Sequence, residues 1–441
     1  MLGLPFRAER KTLGVNVARE KIIVGIDVGS SKITTLIASS SREEEVTVIG
    51  VSTASSRGLR KGQVVDIEEA VSAISESVES AERMGGVSIS SAFVSVGGAH
   101  IASINSHGVV AVAGGENEIS EEDVRRVTEA ARAISIPSSR EIIHVVPRDF
   151  IVDSQEGIKD PIGMTGVRLE VETHIISGAA TSLRNLVKCV QQVGIDVEGL
   201  VFSGVAASEA TLTDTEKELG VALIDIGGGT TDVALFVEGS IAHSVVIPIG
   251  GRNITNDLAI GLRSSLESAE KIKLELANQS KKPGDDDEEG KSRKDDVLDV
   301  SKLGLVEDLG ILSKKTLTDG IIKPRLTEIF TLIGMEIKRS GYAGLLPAGL
   351  VVTGGAAETL GLSSVGKEVL RMPVRIASPL GVTGLIDEIS SPAYAASVGL
   401  LIYGNKITTV ASGGVTVPIV RGKNLIESAK KLVNWLKSFL P

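Results

Sequence analysis

Two stretches of the chain repeat one pattern of apolar and polar positions. In KIIVGIDVGSSKITTLIAS (21–39) and GVALIDIGGGTTDVALFVEG (220–239), an apolar run ends on an aspartate, a turn of glycine with serine or threonine follows, and a second apolar run returns. Each reads as a β-hairpin, and the repetition implies two related lobes. Between them, residues 66–85 place Ile67, Val71, Ile74 and Val78 at steps of three and four, the stripe of an amphipathic helix. Strand alternation returns in 89–113. A helix is predicted over 119–135, with Ser120 as its cap, Asp123 three residues on, and Glu121 and Glu122 in its first turn. Residues 140–177 hold short strands broken by DPIGMTG, so 92–172 is expected to be a self-contained insert in the first lobe.

The two turns also carry chemistry. A turn of Gly with Ser or Thr presents consecutive backbone N–H groups to an anion, and glycine lets that backbone approach a phosphate closely. Two such turns from two lobes can clamp a polyphosphate, with Asp27 and Asp225 at the strand ends holding Mg²⁺ largely through its waters. The plainer reading is two tight hairpins with turn-forming Asp and Gly. A third element favours the nucleotide: LVVTGGAAETLGL (350–362) runs a strand into Gly354, Gly355, Ala356 and Ala357, whose small side chains leave room for an adenine ring.

Composition narrows the picture. The 441 residues are 42% hydrophobic but only 2% aromatic, so the cores are built from Val, Ile, Leu and Ala, as suits α/β packing. A formal net charge of −10 argues against a nucleic-acid partner for the whole protein. The single cysteine, Cys189, excludes an internal disulfide and sits in a helical pattern as a core residue. Residues 1–20 lack the apolar stretch of a secretory signal and read as a loose tail; no run of 18 apolar residues exists to span a bilayer. Residues 278–296, with seven acids against five bases and no apolar residue, read as a flexible loop, with an acidic docking site as the alternative.

In order, the first phosphate hairpin, the helix GVAASEATL, the second hairpin, the TGGAA strand and the closing helix SPAYAASVGLLIYG resemble the actin, sugar kinase and heat-shock ATPase superfamily. Within it the chain is similar to the bacterial FtsA cell-division family, through PIGMTGVRLEVETHII (161–176), VFSGVAASEATL (201–212), ESAEKIKLE (267–275) and IIKPRLTEIF (321–330). The resemblance covers 21–404 and the tail, and departs at the acidic loop. It implies an α/β, actin-like two-lobed ATPase fold, with ribonuclease H-like duplicated domains and an α+β insert. The first lobe is then 21–91 with 173–214 and 385–404; the second is 215–262 with 335–384, carrying a subdomain at 263–334. It also implies ATP and Mg²⁺ as cofactors. Asp27, Gly29, Ser30, Ser31 and Lys32 match the first phosphate motif; Asp225, Gly227, Gly228, Gly229 and Thr230 match the second, with Gly354, Gly355 and Ala356 at the base. Glu270 and Lys273, one helical turn apart, would hold the ribose and adenosine side; the alternative is a solvated ion pair. Actin-like hydrolases orient the attacking water with a Glu or Gln in the helix before the second hairpin. Ser203 falls there, and Glu209 further along is the weak catalytic candidate, so hydrolysis is expected to be slow or negligible.

Residues 424–440, NLIESAKKLVNWLKSFL, place Leu425, Ile426, Leu432, Val433, Leu436, Phe439 and Leu440 on one helical face, lysines on the other and Trp435 near the boundary. Such a helix can pack on its own protein. Following a linker at 405–423 and basic on an acidic chain, it reads as a membrane-surface helix, as in the family. The resemblance further implies a polymer at the division site, on the cytoplasmic face of the cell membrane. The insert would contact neighbouring subunits and later division proteins. The 321–330 region would dock the C-terminal tail of FtsZ, with Arg325 as the contact; an idle surface arginine is the alternative. An actin-like pilus-assembly scaffold, and more remotely a small-molecule kinase of the superfamily, are the other readings. A heat-shock chaperone needs a substrate domain after the ATPase, and about 37 residues after position 404 do not suffice.

Overall fold

The computed structural model describes residues 21–40, 45–113, 115–134, 136–280 and 296–412. The tail 1–20, acidic-loop residues 281–295, linker residues 413–423 and the amphipathic segment 424–441, with all its candidate membrane residues, lie outside the described residues.

The duplication holds strand for strand. The first sheet runs Asp196–Phe202, Ser91–Val96, Lys21–Val28, Lys32–Ser40, Val46–Ser55, with the short Thr383–Gly384 at its edge; the second runs Val374–Ile376, Leu350–Thr353, Val221–Ile226, Thr231–Val237, Ser240–Ile247. In each, three antiparallel strands continue into two parallel ones. Every residue of Val221–Ile226 and Thr231–Val237 is buried, because both faces of the second sheet are covered. That is why the segment is almost continuously apolar and its aspartates stand out.

Helices pack where the stripes predict. Ile67–Gly85 starts at Asp66, which accepts from Glu69 N, ends at Gly86 with φ 66°, and buries Ile74 and Val78 against the first sheet. Cys189 is fully buried, as its helical pattern predicts. Ser203–Thr211 and Ala395–Ser412 cross so closely that a Cβ at Gly399 would stand 1.8 Å from Ala206 O. The closing helix therefore runs on through Ser412, past the expected linker boundary at 405. Asn405 is buried there, accepting from Ser40 Oγ at 2.8 Å. Similarly, Leu266–Ser280 takes in the first residues assigned to the acidic loop, with Gln279 bonded to Glu275 one turn back.

The insert has its own sheet, ordered Ala102–Ala111, Arg168–Ala179, Arg140–Val152, Gln155–Ile158, covered by Glu121–Arg132. Ile119, Val127, Phe150, Leu169 and Val171 form its core. Its bounds shift from the expected 92–172: Ser91–Val96 lies inside the first sheet between Lys21–Val28 and Asp196–Phe202, and Arg168–Ala179 stays in the insert to its end. Strand alternation alone does not say which sheet a strand joins. At the crossing points Arg140 Nη2 donates to His100 O at 2.9 Å and Ser177 O at 2.8 Å, clasping the chain's entry to its exit. In the second lobe, Lys323–Ser340 crosses the expected division at 335. Its Phe330 and Ile333 share one core with Ile224 and Val352, so subdomain and lobe are packed as one body there.

The insert's helix depends on Asp123, whose carboxylate accepts from Ser120 N and Oγ, Ala113 N and Arg126. Burial opposes its charge, yet these bonds prevail and hold the carboxyl well below the usual range. The contribution is present above the ordinary carboxylate pKa of about 4 and is lost as pH falls below it. Asp123→Ala is expected to cost roughly 1–3 kcal/mol, read as faster amide exchange over 119–132 with exchange in the two lobes unchanged.

Candidate functional site

The two glycine turns meet face to face. A Cβ at Gly228 would stand 2.7 Å from the Ser31 side chain, and one at Gly229 would stand 3.0 Å from that of Ser30. Each turn is closed by the same bond, Gly29 N to Lys32 O at 3.1 Å and Gly227 N to Thr230 O at 2.9 Å. Behind the second turn, the start of the helix Gly251–Leu262 is tied down by Gly251 N to Gly227 O and Arg252 N to Gly228 O. The helix N-terminus thus braces the second glycine turn from behind.

Three aspartates line the cleft between the turns. Asp27 accepts from Ser95 Oγ at 2.6 Å and Ser397 Oγ at 3.3 Å. Asp225 and Asp232 are directly opposed across their hairpin. Burial, then the Asp27 charge, pushes Asp225 up to about 7 against the pull of Lys32; burial, then Asp225 and Asp27, raises Asp232 well above the carboxylate range. Asp232 Oδ1 is buried without a hydrogen-bond partner. Burial lowers the pKa of Lys32 despite Asp27 and Asp225, and its ammonium lies 3.6 Å from the centre of the Tyr394 ring.

An orphaned buried oxygen among mutually repelling carboxylates fits a cation. Among the described residues no three His, Cys, Asp or Glu side chains are placed to ligate a metal directly. The donor set therefore suits Mg²⁺ held through its own waters and phosphate oxygens.

The structure brings together most of the expected residues. Both phosphate motifs border the cleft, with Gly229 in contact with Ser30; Gly354 and Gly355 form one wall. Gly354 has φ 90°, and a Cβ there would stand 2.2 Å from Asp225 Oδ1, so only glycine allows the approach. Ala356 is fixed by its N to Ile226 O at 2.9 Å and lies against Gly251. Glu270 and Lys273 sit beside this wall: Lys273 Nζ bonds Glu270 at 2.7 Å and Thr255 Oγ1 at 2.9 Å, and lies 3.8 Å from a Cβ at Gly251.

Two expected residues have partners of their own. Glu209 does not line the cleft; it pairs with Lys406 and, at 3.9 Å, with Lys217. Ser203, at the start of the same helix, does border it. Arg325 is not a free contact: its guanidinium holds Asp257 in two bonds, 2.5 and 2.8 Å, and also pairs with Glu328. An acidic peptide would have to displace Asp257.

Asp232, which flanks the second turn together with Asp225, also lines the cleft, and Ser95, Gly62 and Gly97 build the site without having been singled out. Asp232 had a readable signal, an aspartate on the return strand placed to face Asp225 in a two-stranded register. Gly62 and Gly97 had none beyond being glycines.

Residues 98–177 match the family model described as the SHS2 domain inserted in FTSA, and 222–399 match that of cell division protein FtsA. The cell division protein FtsA of Pseudomonas aeruginosa is 41% identical over 88% of this chain and 90% of its own length. That of Escherichia coli (strain K12) is 35% identical over 96% and 99%, and that of Bacillus subtilis (strain 168) 40% identical over 86% and 83%. Among solved structures, a PilM-PilN type IV pilus biogenesis complex aligns with a TM-score of 0.61 at 15% identity, covering 87% of this chain and 98% of that one. MreB 5 of Spiroplasma citri bound to AMPPNP aligns with a TM-score of 0.51 at 13% identity, covering 90% and 99%. These structural likenesses establish the actin-like fold and nothing more.

Proposed function

The chain belongs to the FtsA family of actin-like cell-division proteins, and from that premise we propose that it binds Mg²⁺–ATP between its two glycine turns and polymerises as a membrane-attached scaffold for the division ring. The carrying observation is the close approach of the two turns, where a Cβ at Gly228 or Gly229 would stand 2.7 or 3.0 Å from the side chains of Ser31 and Ser30, over a cluster of three aspartates. The turns supply N–H donors to the phosphates; Asp27, Asp225 and Asp232 hold the hydrated cation; Gly354, Gly355 and Ala356 face the base, with Glu270 and Lys273 toward the ribose. When bound, Mg²⁺ offsets charge on the phosphates.

The described lining of the cleft contains no glutamate or glutamine. Ser203, at the place where actin-like hydrolases orient water, is a poor substitute, so turnover is slow and nucleotide serves assembly. A division-site protein of this family has partners in the division machinery. The finer assignments are the FtsZ C-terminal tail on the second lobe, later division proteins on the insert, and anionic lipid on the cytoplasmic face under 424–440. No helix among the described residues is long and apolar enough to cross a membrane.

Sedimentation of the full chain with anionic liposomes tests this. Mg²⁺–ATP is expected to increase the pelleted fraction. Trp435→Glu with Leu436→Glu should release the protein from lipid while leaving ATP affinity unchanged, since burying a leucine-sized side chain contributes roughly 1.5–3 kcal/mol. A protein that binds ATP yet pellets neither alone nor with lipid would be a kinase rather than a scaffold.

A further inference from the structure

The helix Ser203–Thr211 begins at the cleft with no side chain of its own to cap it, because Phe202 fills the cap position. Phe202 also ends Asp196–Phe202, the edge strand of the first sheet, and is fully buried. An N–H on the open side of an edge strand has no ladder to join, so when buried it needs a partner from elsewhere. The insert supplies one. Phe202 N donates to His144 Nε2 at 2.9 Å, and His144 is a buried residue of Arg140–Val152, the strand that the Arg140 clasp begins.

That bond fixes the tautomer. Nε2 faces a donor and must carry the lone pair, so the proton sits on Nδ1, which faces the Tyr403 hydroxyl at 3.4 Å, the two rings meeting edge to face at 5.8 Å. Burial keeps the imidazole neutral, with its pKa pushed down to about 4. Each end of the ring therefore grips a helix that reaches the cleft. On one side Ser203 follows Phe202: a Cβ at Gly97 would stand 3.3 Å from Ser203 Oγ and 3.4 Å from Asp232 Oδ2, so the two side chains flank one glycine. On the other side Tyr403 belongs to Ala395–Ser412, whose Ser397 donates to Asp27 and whose Ala396 borders the cleft.

We propose that His144 is a positioning residue for the nucleotide site: from the root of the insert it holds the start of Ser203–Thr211 and, through Tyr403, the closing helix, and so keeps Ser203 and Ser397 in place at the cleft. This rests on the nucleotide reading of the cleft.

Calorimetric titration of the full chain with Mg²⁺–ATP, with amide exchange read at Phe202, tests it. His144→Gln keeps an acceptor within reach of the Nε2 position, whereas His144→Asn stops short of it. The Asn variant is expected to bind ATP roughly tenfold more weakly, the scale on which one buried donor loses its partner, and to exchange the Phe202 amide faster, while the Gln variant stays within about twofold of the wild type. Asp123→Ala, which disturbs the insert away from its root, should leave ATP affinity unchanged. Equal behaviour of the Asn and Gln variants, or an equal loss in Asp123→Ala, overturns the role of His144 and leaves the nucleotide site standing. Should the Asn variant not fold, the wild type decides: Mg²⁺–ATP is expected to slow exchange at Phe202 more than at Leu169 and Val171 in the insert's core, and an equal effect at all three overturns the proposal. A wild-type chain that does not bind ATP overturns the nucleotide reading, and the role of His144 with it.

Discussion

Asp225→Asn should melt at a higher temperature than the wild type when free of nucleotide at pH 8, and should bind Mg²⁺–ATP roughly 100-fold more weakly or worse, in line with losing one charge from a buried ionic contact. Both effects have one origin. Burial and the Asp27 charge push the Asp225 carboxyl up to about 7, whereas the unfolded chain releases that proton near the ordinary value of 3.8. Between these limits the native state binds more protons than the unfolded state, so stability falls as pH rises through the window. The full cost is reached only above the raised pKa. The amide has nothing to titrate. The melting temperatures of the two proteins should therefore coincide near pH 4 and diverge by several degrees at pH 8. Saturating Mg²⁺–ATP should erase the deficit of the wild type alone. A variant less stable than wild type at every pH would show that Asp225 serves the fold rather than a ligand.

Gly399→Val should damage stability and binding together. The added Cβ falls 1.8 Å from Ala206 O, a backbone atom in the middle of a neighbouring helix that has no rotamer to change. Overpacking of this kind costs about 1–3 kcal/mol and occasionally more, and the upper end is expected here. The displaced helix also carries Ser397, which donates to Asp27, and Ala396, which borders the cleft. Nucleotide affinity should thus fall even in the fraction that folds. The insert has a separate core, so its amide exchange should not change. An unaltered melting curve would mean that the two helices are not packed as described.

Where a residue's role follows from its neighbours in sequence, it was legible; where it follows from a distant partner, it was not. The two hairpins announced themselves because glycine and aspartate interrupt runs that are otherwise buried on both faces. The stripe of Ile74 and Val78 and the Ser120 cap were equally local. Ser91–Val96 reads like any strand, and only its pairing beside Lys21–Val28 moves it out of the insert. Arg325 and Glu209 carried no mark of the pairs with Asp257, Lys217 and Lys406 that occupy them. Gly404, read as a chain exit, lies mid-helix against Phe93, because Asn405 finds a buried partner in Ser40.

The clasp at Arg140 bears on how this architecture can diversify. One guanidinium holds the two crossing strands side by side, and the passenger beyond them carries its own apolar nucleus. A cassette mounted on adjacent posts can be lengthened, remodelled or exchanged for an unrelated one without re-engineering the two lobes beneath, so sequence novelty should accumulate on that side of the molecule while the jaws stay still.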